Sequence, residues 1–141
     1  MSEDLADQLR LAGLRVTAPR LAVLEALRNT RHVDVDTVAA AARARLGSLS
    51  TQAVYDILHA FTRTGLVRRI EPAGRPALYE TRIGDNHHHV VCRYCGAVDD
   101  VDCAVGVAPC LEPSSTSGFD IDEAEVTFWG RCPDCRAIAA R

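Results

Sequence analysis

The sequence predicts an α+β protein in two parts. A helical unit ends in a small hairpin, and a small α/β unit closed by cysteines follows it. Three observations predict this. Apolar residues recur at helical spacing through the first half. Short runs rich in β-branched residues, separated by turn formers, mark the second. Two cysteine pairs, Cys92-Arg93-Tyr94-Cys95 and Cys132-Pro133-Asp134-Cys135, bracket that second part. The character changes after Gly84-Asp85-Asn86, so the expected domains are 1–83 and 84–141.

The elements follow in order. Thr17 caps a helix whose first turn holds Pro19, where a missing N–H costs nothing, and Leu21, Leu24 and Leu27 follow at helical spacing. Asp34 or Asp36 caps the next helix. Val38, Ala41, Ala42 and Leu46 form its stripe, and Gly47 ends it. Ser48 to Ser50 lead into the clearest helix, with Val54, Ile57, Leu58 and Phe61 on one face. The opposite face carries Gln52, Tyr55, Asp56, His59 and Arg63. Leu66 to Ile70 reads as a strand, Glu71 to Pro76 as a turn and Ala77 to Glu80 as the return strand. Helix, short turn, helix and hairpin is the order of a winged helix-turn-helix. Its second helix would enter a DNA major groove, and its hairpin would bring Arg68, Arg69 and Arg75 to phosphates. In the second half, Val90–Cys92, Ala97-Val98 and 124–129 read as strands, with a short helix expected over 103–108.

Composition and charge narrow the function. Apolar residues make up 48% of 141 residues and charged residues 25%, which excludes wholesale disorder or a coiled-coil rod. No apolar run is long enough to span a membrane, and the acidic start does not resemble a signal peptide; a cytoplasmic protein is expected. The net charge of -3 hides an asymmetry: residues 1–83 hold 12 of the 16 basic residues, and 84–141 hold 10 of the 19 acidic ones. A basic half joined to an acidic half suggests two different jobs.

Two C-x-x-C pairs suit a closed four-thiolate zinc site. The two-residue spacer lets both sulfurs of a pair face one ion, and Gly96 or Pro133 shapes the turn. A closed shell is structural, not catalytic. Iron held by the same thiolates is the alternative, as is a redox pair, although neither pair reads as the strand-to-helix junction a thioredoxin-like site needs. Cys103 and Cys110 stand apart, as small apolar residues or candidate redox thiols. His87-His88-His89 precedes the first pair, and on a strand His87 and His89 share a face. With Asp99, Asp100, Glu80 and His32 nearby in the pattern, imidazoles and carboxylates suit Fe²⁺, Mn²⁺ or Zn²⁺.

These motifs resemble the ferric uptake regulator (Fur) family over nearly the whole chain. The resemblance rests on Gly13 to Arg20, Ser50 to Leu58, His87 to Gly96 and Trp129 to Cys135. The run from Val101 through Cys110-Leu111 to Val126 is most similar to the catalase-associated, peroxide-responsive branch called FurA or CatR. The resemblance implies a homodimeric, metal-dependent repressor of a palindromic, A·T-rich operator, with no enzymatic activity. The C-terminal α/β domain would dimerise and hold structural Zn²⁺ on Cys92, Cys95, Cys132 and Cys135. Regulatory Fe²⁺ or Mn²⁺ would fall to His32, Glu80, His87, His89 and Asp100. The DNA-contacting set would be Arg15, Arg20, Thr51, Gln52, Tyr55 and Asp56, with Tyr55 in the major groove and Arg15 in the minor groove.

The chain departs from the family pattern at several positions. Iron sensors usually carry Glu where this chain has Asp100, which favours a peroxide sensor controlling catalase or oxidative-stress genes. Peroxide sensors often carry Asp where this chain has Thr81, and Glu80 fits the iron-sensor pattern instead. The family's further site is mostly missing: its positions hold Asn86, His88, Val107 and Ala124. The alternative within the family is an iron- or zinc-responsive repressor of metal uptake genes. A C-x-x-C oxidoreductase and a zinc-stabilised adaptor for protein partners are the rivals outside it.

Overall fold

A computed structural model describes residues 2–72, 75–81, 87–102, 114–121 and 126–139. The chain divides into two compact units, Met1–Ile83 and Gly84–Arg141.

The first unit holds four helices, α1 (Ser2–Leu11), α2 (Ala18–Arg28), α3 (Val35–Leu46) and α4 (Thr51–Arg63), then strands β1 (Arg68–Ile70) and β2 (Leu78–Glu80). Three helices begin at the residues that chemistry selects. The Thr17 hydroxyl accepts from the Arg20 N–H at 3.3 Å, Asp34 from Thr37 at 2.8 Å and Ser50 from Ala53 at 3.1 Å. Gly47, at φ 85°, ends α3 in a conformation that a side chain would strain. One core joins the helices: Leu9, Val23, Leu24, Leu27, Val38, Ala42, Val54, Leu58 and Phe61 are fully buried. β1 and β2 pair antiparallel, with Arg68 opposite Glu80 and Ile70 opposite Leu78. Ala73 and Gly74, within the expected turn, lie outside the described residues.

Three expectations for this unit need correction. Helix α1 was not foreseen from the sequence. Leu5 and Leu9, one turn apart, anchor it in the core, and Arg28 of α2 holds Asp4 at 2.7 Å. On α3 the buried face is Val35, Val38, Ala39 and Ala42, while Ala41 is exposed. The helix starts at Val35, and that start sets the phase. Leu66 and Val67 do not belong to the strand. Both backbone N–H groups donate to the Phe61 carbonyl, at 3.0 and 3.2 Å, so the chain wraps the end of α4 before β1 begins.

The second unit holds β3 (His87–Cys92), β4 (Val98–Asp102), β5 (Thr127–Gly130) and α5 (Pro133–Ala139). Its sheet order is β4-β3-β5, with β4 antiparallel and β5 parallel to β3. Helix α5 was not foreseen; Pro133 sits at its first residue, where proline is preorganised. The pair Cys132-x-x-Cys135 therefore does sit at a strand-to-helix junction, with Cys132 just before α5 and Cys135 in its first turn, contrary to expectation. Residues 103–108 and 122–125, where a helix and part of a strand were expected, lie outside the described residues. Among the described residues, no helix is long and apolar enough to cross a membrane.

Candidate metal centres

The parallel pairing of β3 with β5 builds the first centre. It sets Cys92 beside Gly130, so the Cys92–Cys95 turn and the start of α5 lie together. The sulfurs of Cys92, Cys95, Cys132 and Cys135 all fall within 4.8 Å of one another, and Cys95 and Cys132 are 3.6 Å apart. Zn–S bonds of about 2.3 Å in a tetrahedron need sulfurs roughly 3.8 Å apart, so the four thiols fit a zinc ion. Backbone groups are already aimed at them. The Cys132 N–H donates to the Cys92 sulfur at 3.4 Å, and the Cys135 N–H to the Cys132 sulfur at 3.4 Å.

These contacts show in the thiol acidities. Backbone N–H donors from Cys95 and Cys132 hold the Cys92 thiol down at about 5. The neighbouring Cys132 sulfur pushes Cys135 up to about 12. Four sulfurs this close cannot all carry negative charge without a cation among them. The redox reading loses ground here, because the second pair does not stand alone: its sulfurs are grouped with those of Cys92 and Cys95.

Two arginines beside the cysteines were not singled out by sequence reasoning. Arg131 donates to the Tyr94 hydroxyl at 2.7 Å and lies 4.4 Å from its ring centre. Arg93 lies 5.3 Å from the Trp129 ring centre. Both stack on aromatics that flank the cysteine turns. The only signal in the sequence was their adjacency to the cysteines.

A second set of donors is distributed over the two units. In the first unit, Val33 bridges Tyr79 through two backbone bonds of 3.1 and 2.8 Å, which pins the turn before α3 against β2. That bridge places His32 opposite Glu80, with Nε2 3.2 Å from Oε2. Both side chains are nearly buried, His32 at 7% and Glu80 at 2% exposure. In the second unit, the β3–β4 register puts His89 opposite Asp100, with Nε2 3.5 Å from Oδ1. His89 is fully buried and Asp100 7% exposed. His87 stands opposite Asp102 in the same register, two residues from His89 along β3. A buried imidazole beside a buried carboxylate is a donor pair for Fe²⁺, Mn²⁺ or Zn²⁺.

The residues expected to meet DNA are on the surface of the first unit. Thr51, Gln52, Tyr55 and Asp56 are exposed on α4. Arg15 is exposed in the loop before α2, and Arg20 donates to its carbonyl at 2.8 Å, which fixes that loop. Arg43 of α3, absent from the expected set, donates to the Leu49 carbonyl at 2.7 Å and to the Thr51 hydroxyl at 2.9 Å, tying the α3–α4 turn. Arg69, expected at phosphates, is held by Glu71 through bonds of 3.2 and 3.0 Å. Cys103 and Cys110 lie outside the described residues.

Helices, a hairpin and a four-cysteine cluster of a geometry that fits zinc, set on a small sheet, define a class of metal-site α+β proteins. Residues 11–128 match the Ferric uptake regulator family, and the chain belongs to it. The chain is 61% identical over 132 residues to the transcriptional regulator FurA of Mycobacterium tuberculosis, covering 94% of this chain and 90% of that one. The Vibrio cholerae ferric uptake regulator structure matches with TM-score 0.70 and 27% identity, covering 90% of this chain and 98% of that one. The Pseudomonas aeruginosa ferric uptake regulator, solved with manganese, matches with TM-score 0.69 and 28% identity, over 92% of this chain and 98% of that one. Members of the family are metal-responsive, dimeric, DNA-binding transcriptional regulators, not enzymes.

Proposed function

We propose that this chain is a homodimeric repressor of a palindromic, A·T-rich operator, controlled by Fe²⁺ or Mn²⁺ and released by peroxide at catalase or oxidative-stress genes. One observation carries the metal reading: each unit contributes a buried imidazole–carboxylate pair, His32 with Glu80 and His89 with Asp100. Each pair supplies only part of a coordination shell. Together with His87 they offer three imidazoles and two carboxylates, a set that suits a divalent ion of intermediate hardness. His32, Glu80, His87, His89 and Asp100 would hold the regulatory ion, and Cys92, Cys95, Cys132 and Cys135 the structural zinc. A Glu80 carboxylate beside His32 supports Glu80, not Thr81, as the carboxylate of the first unit.

The physical logic is a population shift. Donors from two units can share one ion only in some of the arrangements the units sample. An ion preferring those arrangements shifts the dimer toward them. Winged-helix dimers need their reading helices about one DNA turn, roughly 34 Å, apart. In this reading α4 enters the major groove with Thr51, Gln52, Tyr55 and Asp56, and Arg15 and Arg20 face the backbone and minor groove. Bound Fe²⁺ supplies the one-electron chemistry that makes an oxidant from peroxide, and Mn²⁺ does so poorly. The imidazoles of His32, His87 and His89 are then the groups nearest to damage, with Cys103 and Cys110 as the candidate redox thiols.

Peptide mass spectrometry tests this. The zinc-containing protein is loaded with Fe²⁺ or Mn²⁺ and given a small excess of peroxide. One added oxygen on the peptide carrying His32, or on that carrying His87 and His89, is expected in the iron sample alone. Oxidation confined to Cys103 or Cys110 would move sensing to the thiols, and no modification would leave a reversible metal sensor.

A further inference from the structure

Helix α4 carries one carboxylate, Asp56, on the face that also holds Thr51, Gln52 and Tyr55. A carboxylate on a DNA-facing surface is repelled by phosphate and needs a donor there to be tolerated. The Gln52 amide is one such donor: it donates to Asp56 Oδ1 at 2.9 Å across one helical turn. Such an i, i+4 pair on an ordinary surface adds little to helix stability. Its consequence for recognition is larger.

An ionised carboxylate only accepts hydrogen bonds, so Gln52 must turn its NH₂ toward Asp56. That choice aims the Gln52 carbonyl oxygen away from the pair. The second oxygen of Asp56 remains as another acceptor. Glutamine alone can flip its amide and satisfy either a donor or an acceptor. Coupled to Asp56 it is fixed, and the pair offers mainly acceptors.

In the major groove only two base groups donate, the N4 amine of cytosine and the N6 amine of adenine. Guanine and thymine present oxygen acceptors, which an acceptor pair repels. We propose that Gln52 and Asp56 act as one base-reading unit that selects a base with an exocyclic amine, cytosine or adenine, at one position of each half-site. This rests on the reading that α4 lies in the major groove.

The test uses the full-length, zinc-containing, Mn²⁺-loaded protein. Binding sequences are selected from duplexes with a random core, and the selected duplex is then remade with each base at every position. Wild type, Asp56→Ala, Asp56→Asn, Gln52→Ala and Tyr55→Ala are compared, with zinc content and thermal melting as folding controls. Wild type should prefer cytosine or adenine over guanine and thymine by about tenfold at one position, the scale of one good base contact. Asp56→Ala should reduce that preference below about twofold. Asp56→Asn, which can also donate, should admit guanine or thymine there. Gln52→Ala should weaken the preference. The identity of the selected base decides between the two amines. If Asp56→Ala keeps the full preference and changes only overall affinity, the proposal is overturned while the reading of α4 stands. If no substitution on α4, Tyr55→Ala included, alters the selected sequence anywhere, the reading of α4 is overturned and this proposal with it.

Discussion

The two units bury different chemistry. In the first, the buried interior is mostly aliphatic, with Phe61 and Tyr79 as its buried aromatics and the His32–Glu80 pair at its margin. In the second, Val91 and Cys92 are the buried apolar side chains among the described residues, and His88 and His89 are buried with them. Where few apolar side chains are buried, as among the described residues of this unit, a structural metal is a common further source of stability. On the proposed reading, the first unit is held chiefly by the hydrophobic effect and the second by a metal on its thiolates. The lesson is that metal removal and core truncation should act on different halves of one chain.

The largest effect should come from the thiolates. Structural zinc contributes on the order of 10–16 kcal/mol in small domains. Replacing Cys92 or Cys135 by Ser, or stripping zinc with a chelator, should unfold the second unit and leave the helical signal of the first. Trp129, the single tryptophan, lies in β5 and reports on that unit alone. Its fluorescence should shift while far-ultraviolet circular dichroism retains most of its helix signal. Coincident loss of both would erase the distinction between the units.

The reciprocal change is Leu58→Ala. Leu58 is fully buried, and such truncations cost about 2–5 kcal/mol. Denaturant unfolding should show a weaker helical transition at unchanged zinc stoichiometry.

A smaller effect sharpens the comparison within the first unit. The Thr37 hydroxyl and backbone N–H hold the Asp34 carboxyl below its ordinary 3.8. A depressed carboxyl stabilises the fold above its unfolded value, and that contribution is lost as pH falls through the folded value. Asp34→Ala should cost about 1 kcal/mol at pH 7, as caps do, and the difference from wild type should shrink in strong acid. Denaturation curves at the two pH values measure it.

Much of the first unit is legible because its signals are local. Thr17, Asp34 and Ser50 cap the helices as their side-chain chemistry requires, and the α4 stripe marks its own buried face. Helix α1 escaped notice because its buried face is only Leu5, Ala6 and Leu9, in a short segment at the chain start, while its last leucine, Leu11, is exposed. Ala39 and Ala41 were confused because alanine fits either face, so the phase had to come from Val35. In the second unit the cysteine spacing gives the donor type, but not the partner strand. That β5 lies parallel to β3 depends on a connection of more than thirty residues, which no local pattern encodes. Helix α5 was hidden by its own motif, since Pro133 reads equally as a metal turn and as a helix start. The histidines were legible through strand alternation; the opposition of His89 to Asp100 needed the β3–β4 register.

The central claim is that donors from both units serve one regulatory ion and that this ion sets DNA binding. The most direct measurement is a Mn²⁺ titration of operator binding by wild type and His89→Ala, with zinc content determined on the same samples. Wild type should gain affinity as Mn²⁺ rises, and His89→Ala should show no metal-dependent gain while keeping its zinc. Equal Mn²⁺ dependence in the two proteins would contradict the account.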